Sequence, residues 1–552
     1  MVRRFVKRTL ASVLAAATFI GAGSIEQAHS RAWADTQAEV IVTSTGVTSP
    51  VSAVLQYGGT VLTQYTIING VDAMVPVSSE PLLAALPGIV VTPDVSVSVQ
   101  STPESTGPHT PSDAFLGQTG AQQLAAAGDT GQGATVAVLD TGIDNLPDFS
   151  GRLVGGVDLS GEGNAFQDSY GHGTFVAGLI AGNGASSNGQ YSGEAPAANL
   201  VSVKVAGASG STKLGTLISG LQWVQRNQSA FNIRVLNISL GYQPSQSSLT
   251  DPLDNAVERV WSSGVAVIVS AGNAGPFNGT ILSPGDDPMV VTVGSLDDMA
   301  QGNVANDEMT NFSSVGPTSP DGWMKPDLVT SGRSLVSLAA PGSTVYQSNP
   351  SAVVGTGNFV GTGTSFSSAI TSGAAALVIT RHPTYTANQV KAALLGTTNP
   401  GPTGNPFVDG HGALNAYGAA TTTGLEPASN GQTVSLNPTG NPVDTWNQAL
   451  WTGQPWTSTA WNSTAWNSTG WNSTAWNSTA WNGYAWDSTA WNGFECNSTA
   501  WNSTAWNGAA WNSTAWNGSA WDSTAWNSTA WNSTAWNSTA WNSTAWNGSA
   551  WN

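Results

Sequence analysis

A single cysteine, Cys496, leaves this 552-residue chain unable to close an internal disulfide and excludes a multi-cysteine metal site. Basic residues are also scarce. The 15 Lys and Arg stand against 33 Asp and Glu, a formal net charge of -18, which excludes an extended nucleic-acid surface. Charged residues of both signs make up only 9% of the chain, so stability has to come from packing and from turns rich in Gly, Ser, Thr and Asn. Long apolar runs are missing too. The uncharged stretch 9–20 is too short to span a bilayer comfortably and nothing longer follows it, so no transmembrane anchor is expected.

What is present divides the chain into five parts. Arg3, Arg4, Lys7 and Arg8 precede the apolar stretch, and Ala32-Trp33-Ala34 offers a small-x-small cleavage site; residues 1–34 therefore read as a secretory signal peptide, and the product as extracellular. Residues 35–105 alternate β-rich runs (38–43, 60–68, 88–92) with one helical run (80–86), a small α+β module. The Ser, Thr and Pro of 101–112 suit an exposed, cleavable linker. Residues 106–425 alternate β-branched and helical runs, the α/β pattern of a mostly parallel central sheet with helices on both faces. A linker, 426–445, leads to a low-complexity tail, 446–552, in which a tryptophan recurs every five residues.

Three glycine-flanked junctions in the α/β part carry the chemistry. In GTGTSFSSAITSG (361–373), Ser365 precedes a small-residue apolar run that predicts a buried helix, where free N–H groups and the helix dipole can support an oxyanion. The same segment would also serve as an ordinary N-cap. Asp140, in DTG, ends a predicted buried strand, 134–139, at the edge where open α/β sheets place their sites. A second DTG begins at Asp129, which raises the possibility of an aspartic-protease dyad. Its position in a turn only eleven residues from Asp140 rules that out, since paired carboxylates should come from separate lobes. Five histidines can be sorted by place: His29 falls in the leader, His109 in the linker, His382 at a helix end suited to capping, and His411 between glycines. His411 stays a weak competitor as the base; His172, in SYGHGTFVAGLIAG, is favoured because its segment falls in order with those of Asp140 and Ser365.

DTGID, GHGTFVAG and GTSFSSA, in that order, resemble the signature blocks of the subtilisin-like serine proteases. IVSAGN (268–273), APAANLVSVKV (195–205), VLNISLG (235–241), KPDL (325–328) and HGALNAYGA (411–419) agree with the resemblance, which so extends from Asp140 to Ala419. It implies a subtilisin-like fold and a secreted serine endopeptidase that hydrolyses peptide bonds of protein or peptide substrates through Asp140, His172 and Ser365, with an acyl-enzyme intermediate and no cofactor in the chemistry. It further implies that Asn273 and the Ser365 N–H bind the oxyanion. Substrate would be bound along Gly207 to Gly210 and Ser239, Leu240 and Gly241, with pocket walls from Ala271, Gly272 and Ala274. The uncharged Ala274 suggests apolar or aromatic residues ahead of the cleaved bond. Residues 35–105 become an inhibitory propeptide removed by self-processing. Structural calcium is common in the family, but no acidic loop here is specific enough to name ligands. The chain departs from the family pattern at Leu146, Phe175 and Ala369, the last replacing a proline that kinks the nucleophile's helix.

The tail resists both simple periods. A spacing of five throws successive rings onto opposite faces of a strand and rotates them by about 140° on a helix. So many exposed indoles predict an ordered or self-associating form, with a solenoid as one way to align them. Candidate roles are attachment to a cell surface or polysaccharide, or assembly with further copies. The alternative for the whole chain is a surface-binding or scaffold protein with a weak or inactive protease domain.

Overall fold

The computed structural model describes residues 36–100 and 111–423 with their side chains, and the backbone alone of residues 102–103 and of strand segments between 461 and 537. The leader with His29, residues 104–110 of the predicted linker with His109, and the 426–445 linker lie outside the described residues. Among the described residues, no helix is long and apolar enough to cross a membrane.

The central sheet is built around Thr135–Asp140, which lies parallel between Asn199–Lys204 and Ile233–Ile238. Leu153–Asp158 continues the sheet on one side; Ala266–Ser270, Val291–Asp297 and Leu328–Ser331 continue it on the other, all parallel. The short Glu308–Met309 pairs antiparallel with Val291–Asp297. Every residue of Thr135–Asp140 and of Ala266–Ser270 is buried. Strands covered on both faces need no polar alternation, which is why these read as continuous apolar runs.

Two helix pairs cover the sheet. Leu214–Phe231 packs beside Pro252–Ser262, and His172–Ala181 beside Thr364–Arg381. Gly220 lets the first pair sit close: a Cβ there would stand 2.8 Å from Leu139 Cδ1 and 2.9 Å from Val205 Cγ1, so a larger residue would make these side chains shift. Burying a leucine such as Leu139 contributes roughly 1.5–3 kcal/mol. Because Thr135–Asp140, Ile233–Ile238 and Ala266–Ser270 are parallel neighbours, the residues that leave their carboxyl ends, Asp140, Ser239 and Ala271–Asn273, emerge at one edge.

The N-terminal module is a four-stranded antiparallel sheet of Gln37–Ser44, Thr60–Tyr65, Gly70–Pro76 and Ile89–Pro93, with its own core of Val40, Val42, Val54, Val71, Val75 and Leu83. Two of its elements are not evident in the sequence. Glycine, aspartate and proline disguise Gly70–Pro76 as a turn. The valines of the helix Pro50–Gln56 mimic a strand; Ser49, whose hydroxyl accepts from the Ser52 N–H, and Pro50 in the first turn decide for helix. The chain then leaves the module as Ser96–Val99, which forms a separate three-stranded antiparallel sheet with Ser211–Lys213 and Leu240–Gly241.

In the tail, Trp461–Ser473 runs parallel to Trp476–Ser488 with Trp461 opposite Trp476 and Trp471 opposite Trp486. Like positions of different repeats are thus paired, and Cys496 takes a tryptophan's place opposite Trp486 and Trp511.

Candidate active site

Asp140 and His172 are joined directly: the imidazole Nδ1 lies 2.7 Å from Asp140 Oδ1, both side chains buried. The DTG turn is held against the histidine's helix by close backbone approach. A Cβ on Gly173 would stand 2.1 Å from the Gly142 carbonyl oxygen, and Gly142 itself has φ +108. Thr141 adds a clasp, its hydroxyl accepting from the Gly173 N–H at 2.9 Å and donating to Asp168 Oδ1 at 2.8 Å. Asp168, missed in the sequence, accepts from the N–H groups of Gly171 and Thr174 and so satisfies donors at the start of the His172 helix. Burial pushes the Asp168 carboxyl above its usual range.

Ser365 is the second residue of the helix Thr364–Arg381, which runs without interruption past the buried Ala369. Its hydroxyl donates to the Ser239 carbonyl at 3.2 Å and not to His172, the base read from the sequence. His172 Nε2 is buried and makes no hydrogen bond. The hydroxyl rotor has taken a backbone acceptor at the end of the neighbouring strand. Phe366 packs between the His172 ring, 5.7 Å away, and Phe175, 4.3 Å away.

The Gln100 carbonyl occupies the space beside the serine. It accepts from Asn273 Nδ2 at 2.6 Å and from the Ser365 N–H at 3.4 Å. The Gln100 N–H donates to the Ser239 carbonyl, and the Val99 N–H to the Gly210 carbonyl, both at 3.1 Å. Leu240 and Gly241 pair with Val99 and Ser98. Of the remaining residues singled out in the sequence, Gly207 turns the loop by accepting from the Gly210 N–H and faces Glu162 instead of this strand. Ala271 accepts from the Leu282 N–H, the Gly272 N–H donates to Thr364 Oγ1, and the Ala274 N–H donates to Ser314 Oγ. These three residues shape the turn that presents Asn273.

The other candidates lie elsewhere. His382 caps the Ser365 helix through its N–H to the Val378 carbonyl and stacks on Tyr385. His411 lies half-buried near Asp327 and Lys391, and desolvation of its ring pushes it down to about 4. Asp129 pairs with Arg381 at the surface. Among the described residues, Glu39, Asp72 and Asp94 bring carboxylate oxygens within 4.8 Å of one another, but Lys213 Nζ already lies 3.3 Å from Glu39 and 3.6 Å from Asp94 and supplies the counter-charge that calcium would otherwise bring. The Asp158 carboxylate is likewise committed to Ser160 and Asn164.

A parallel α/β sheet whose carboxyl edge presents a carboxylate–imidazole pair and a helix-borne serine defines the class of subtilisin-like serine endopeptidases. The model of the Subtilase family matches residues 131–419, more than half of the chain, and the chain belongs to that family. It is 42% identical over 295 residues to serine protease AprX of Bacillus subtilis (strain 168), covering 52% of this chain and 66% of AprX. It is 34% identical over 309 residues to subtilisin from Bacillus pumilus, covering 55% of this chain and 97% of that one. The structure of fervidolysin from Fervidobacterium pennivorans, described as a keratinolytic enzyme related to subtilisin, matches with a TM-score of 0.56 at 21% identity, covering 70% of this chain and 61% of its own.

Proposed function

We propose that this chain is a secreted serine endopeptidase made as a self-processing precursor, with 1–34 as its leader and the N-terminal module as an inhibitory propeptide. The observation that carries this reading is the Gln100 carbonyl, seated between Asn273 Nδ2 and the Ser365 N–H at the end of a strand that pairs on both sides. A carbonyl held there is placed for attack, which makes Gln100–Ser101 the first bond cut. The antiparallel strand Ser96–Val99 is the pose of any extended substrate, whose main chain supplies affinity.

In this mechanism Ser365 turns from the Ser239 carbonyl toward His172 Nε2 and gives up its proton as it attacks. Asp140 fixes the tautomer that leaves Nε2 free to accept, and stabilises the imidazolium that results. Negative charge then grows on the oxygen that Asn273 and the Ser365 N–H already face. The imidazolium next protonates the leaving amine, and water completes hydrolysis of the acyl-enzyme with no cofactor.

Intact-mass analysis of the wild type and of Ser365→Ala tests the reading. The wild type should yield a new N-terminus at Ser101 and the variant should keep the bond. Cleavage of the variant at the same bond would remove self-processing. Failure of a serine-directed phosphonate to label the mature form would favour the scaffold alternative.

A further inference from the structure

We infer that Leu282 closes the pocket beneath the residue ahead of the cleaved bond, so that this protease takes short or amide-bearing side chains there and rejects aromatic ones. The inference rests on reading Gln100 as that residue. Its backbone is pinned at both ends, the N–H to the Ser239 carbonyl and the carbonyl to Asn273 and Ser365. The side chain must therefore project between two segments, Leu240–Gly241 and the turn 271–274. Each carries a glycine facing that gap, Gly241 and Gly272, and two facing glycines would ordinarily leave a deep slot.

Leu282 fills it. The Leu282 N–H donates to the Ala271 carbonyl at 3.1 Å, which ties the leucine to the turn, and the residue is only 8% exposed. A Cβ on Gly272 would stand 2.6 Å from Leu282 Cγ, and a Cβ on Gly241 would stand 3.1 Å from Leu282 Cβ and 2.9 Å from the Ser283 carbonyl oxygen. The volume that the glycines vacate is taken by the isobutyl group. Gln100 behaves accordingly. Its Nε2 bends back to the Ser98 carbonyl at 3.0 Å and toward the Gly241 carbonyl at 3.5 Å, so the amide lies along the rim.

This reverses part of what the uncharged Ala274 suggested, the lean toward aromatic residues. Absence of charge on the rim disfavours a basic residue, but the floor, not the rim, decides size. Three residues upstream of Gln100, Val97 is fully buried in the main core, so an apolar residue at that place anchors the substrate while the one at the cleaved bond is kept small.

The test uses four peptides, Val-Ser-Val-X-p-nitroanilide with X as Gln, Ala, Phe or Tyr, on the mature full-length enzyme and on Leu282→Gly and Leu282→Ala, each titrated with the phosphonate. In the wild type, kcat/KM for Gln and Ala should exceed that for Phe and Tyr by at least about tenfold, since wrongly sized side chains cost a pocket 10–200-fold. Both variants should raise the Phe-to-Ala ratio by about tenfold or more, the glycine most. A wild-type preference for Phe or Tyr, or a ratio unmoved in both variants, would overturn the assignment while leaving the protease reading intact. Hydrolysis of none of the four by phosphonate-reactive enzyme would overturn the pocket and its substrate pose together.

Discussion

Thr364 holds Asn273 twice, its N–H and its hydroxyl both donating to Asn273 Oδ1, at 3.0 and 2.9 Å. That leaves the amide Nδ2 with one direction, toward the Gln100 carbonyl oxygen. A donor aimed before charge appears needs no reorganisation when it does.

Replacing Asn273 by alanine should therefore lower kcat by about 10²–10³ with little change in KM, as for any interaction that strengthens only in the transition state. Thr364→Val, which keeps the N–H and loses the hydroxyl, should fall between. Steady-state hydrolysis of one anilide by both variants checks this; a change confined to KM would assign Asn273 to substrate binding.

Asp140→Asn presents His172 Nδ1 with an amide and favours the wrong tautomer. The expected loss in kcat is about 10⁴. Thermal unfolding of the purified variant should stay near the wild type, separating a chemical defect from a folding one.

The module meets the protease through a buried carboxylate group. Burial, and then the charges of Asp94 and Glu39, push Asp72 up from 3.8 to about 6, opposed by Lys213; Tyr65 lies in the same cluster, its hydroxyl on the Gly215 carbonyl. With a folded value above the unfolded one, Asp72 favours the folded precursor while protonated and weakens it as pH rises from the unfolded value through about 6. In a Ser365→Ala background, which on the proposed self-processing would keep the chain whole, Asp72→Asn should gain unfolding temperature relative to Asp72 across that window and hold the gain above it. A difference independent of pH would remove Asp72 from the titration.

The α/β alternation was legible because parallel strands buried on both faces leave uninterrupted runs such as TVAVLD and AVIVS. Asp140, His172 and Ser365 could be singled out because glycines flank each junction, and Asn273 through the resemblance of IVSAGN to a family block. Asp168, Thr364 and Leu282 could not. Thr364 reaches Asn273 from 91 positions away, while Asp168 and Leu282 act through turns whose geometry, a carboxylate on nearby N–H groups and an isobutyl group against glycines, neither spacing nor period records. Ser96–Val99 was hidden for a related reason: its serines and valines alternate like any exposed strand, and its partners lie more than a hundred residues onward.

Main-chain bonds from Ser211–Lys213 on one side and Leu240–Gly241 on the other seat Ser96–Val99, and none of them involves the link that follows Gln100. Severing that link loosens no grip. In the proposed self-processing precursor, the onset of proteolysis would be timed by how slowly the severed piece peels away, a clock wound by strand pairing and indifferent to the speed of the first cut.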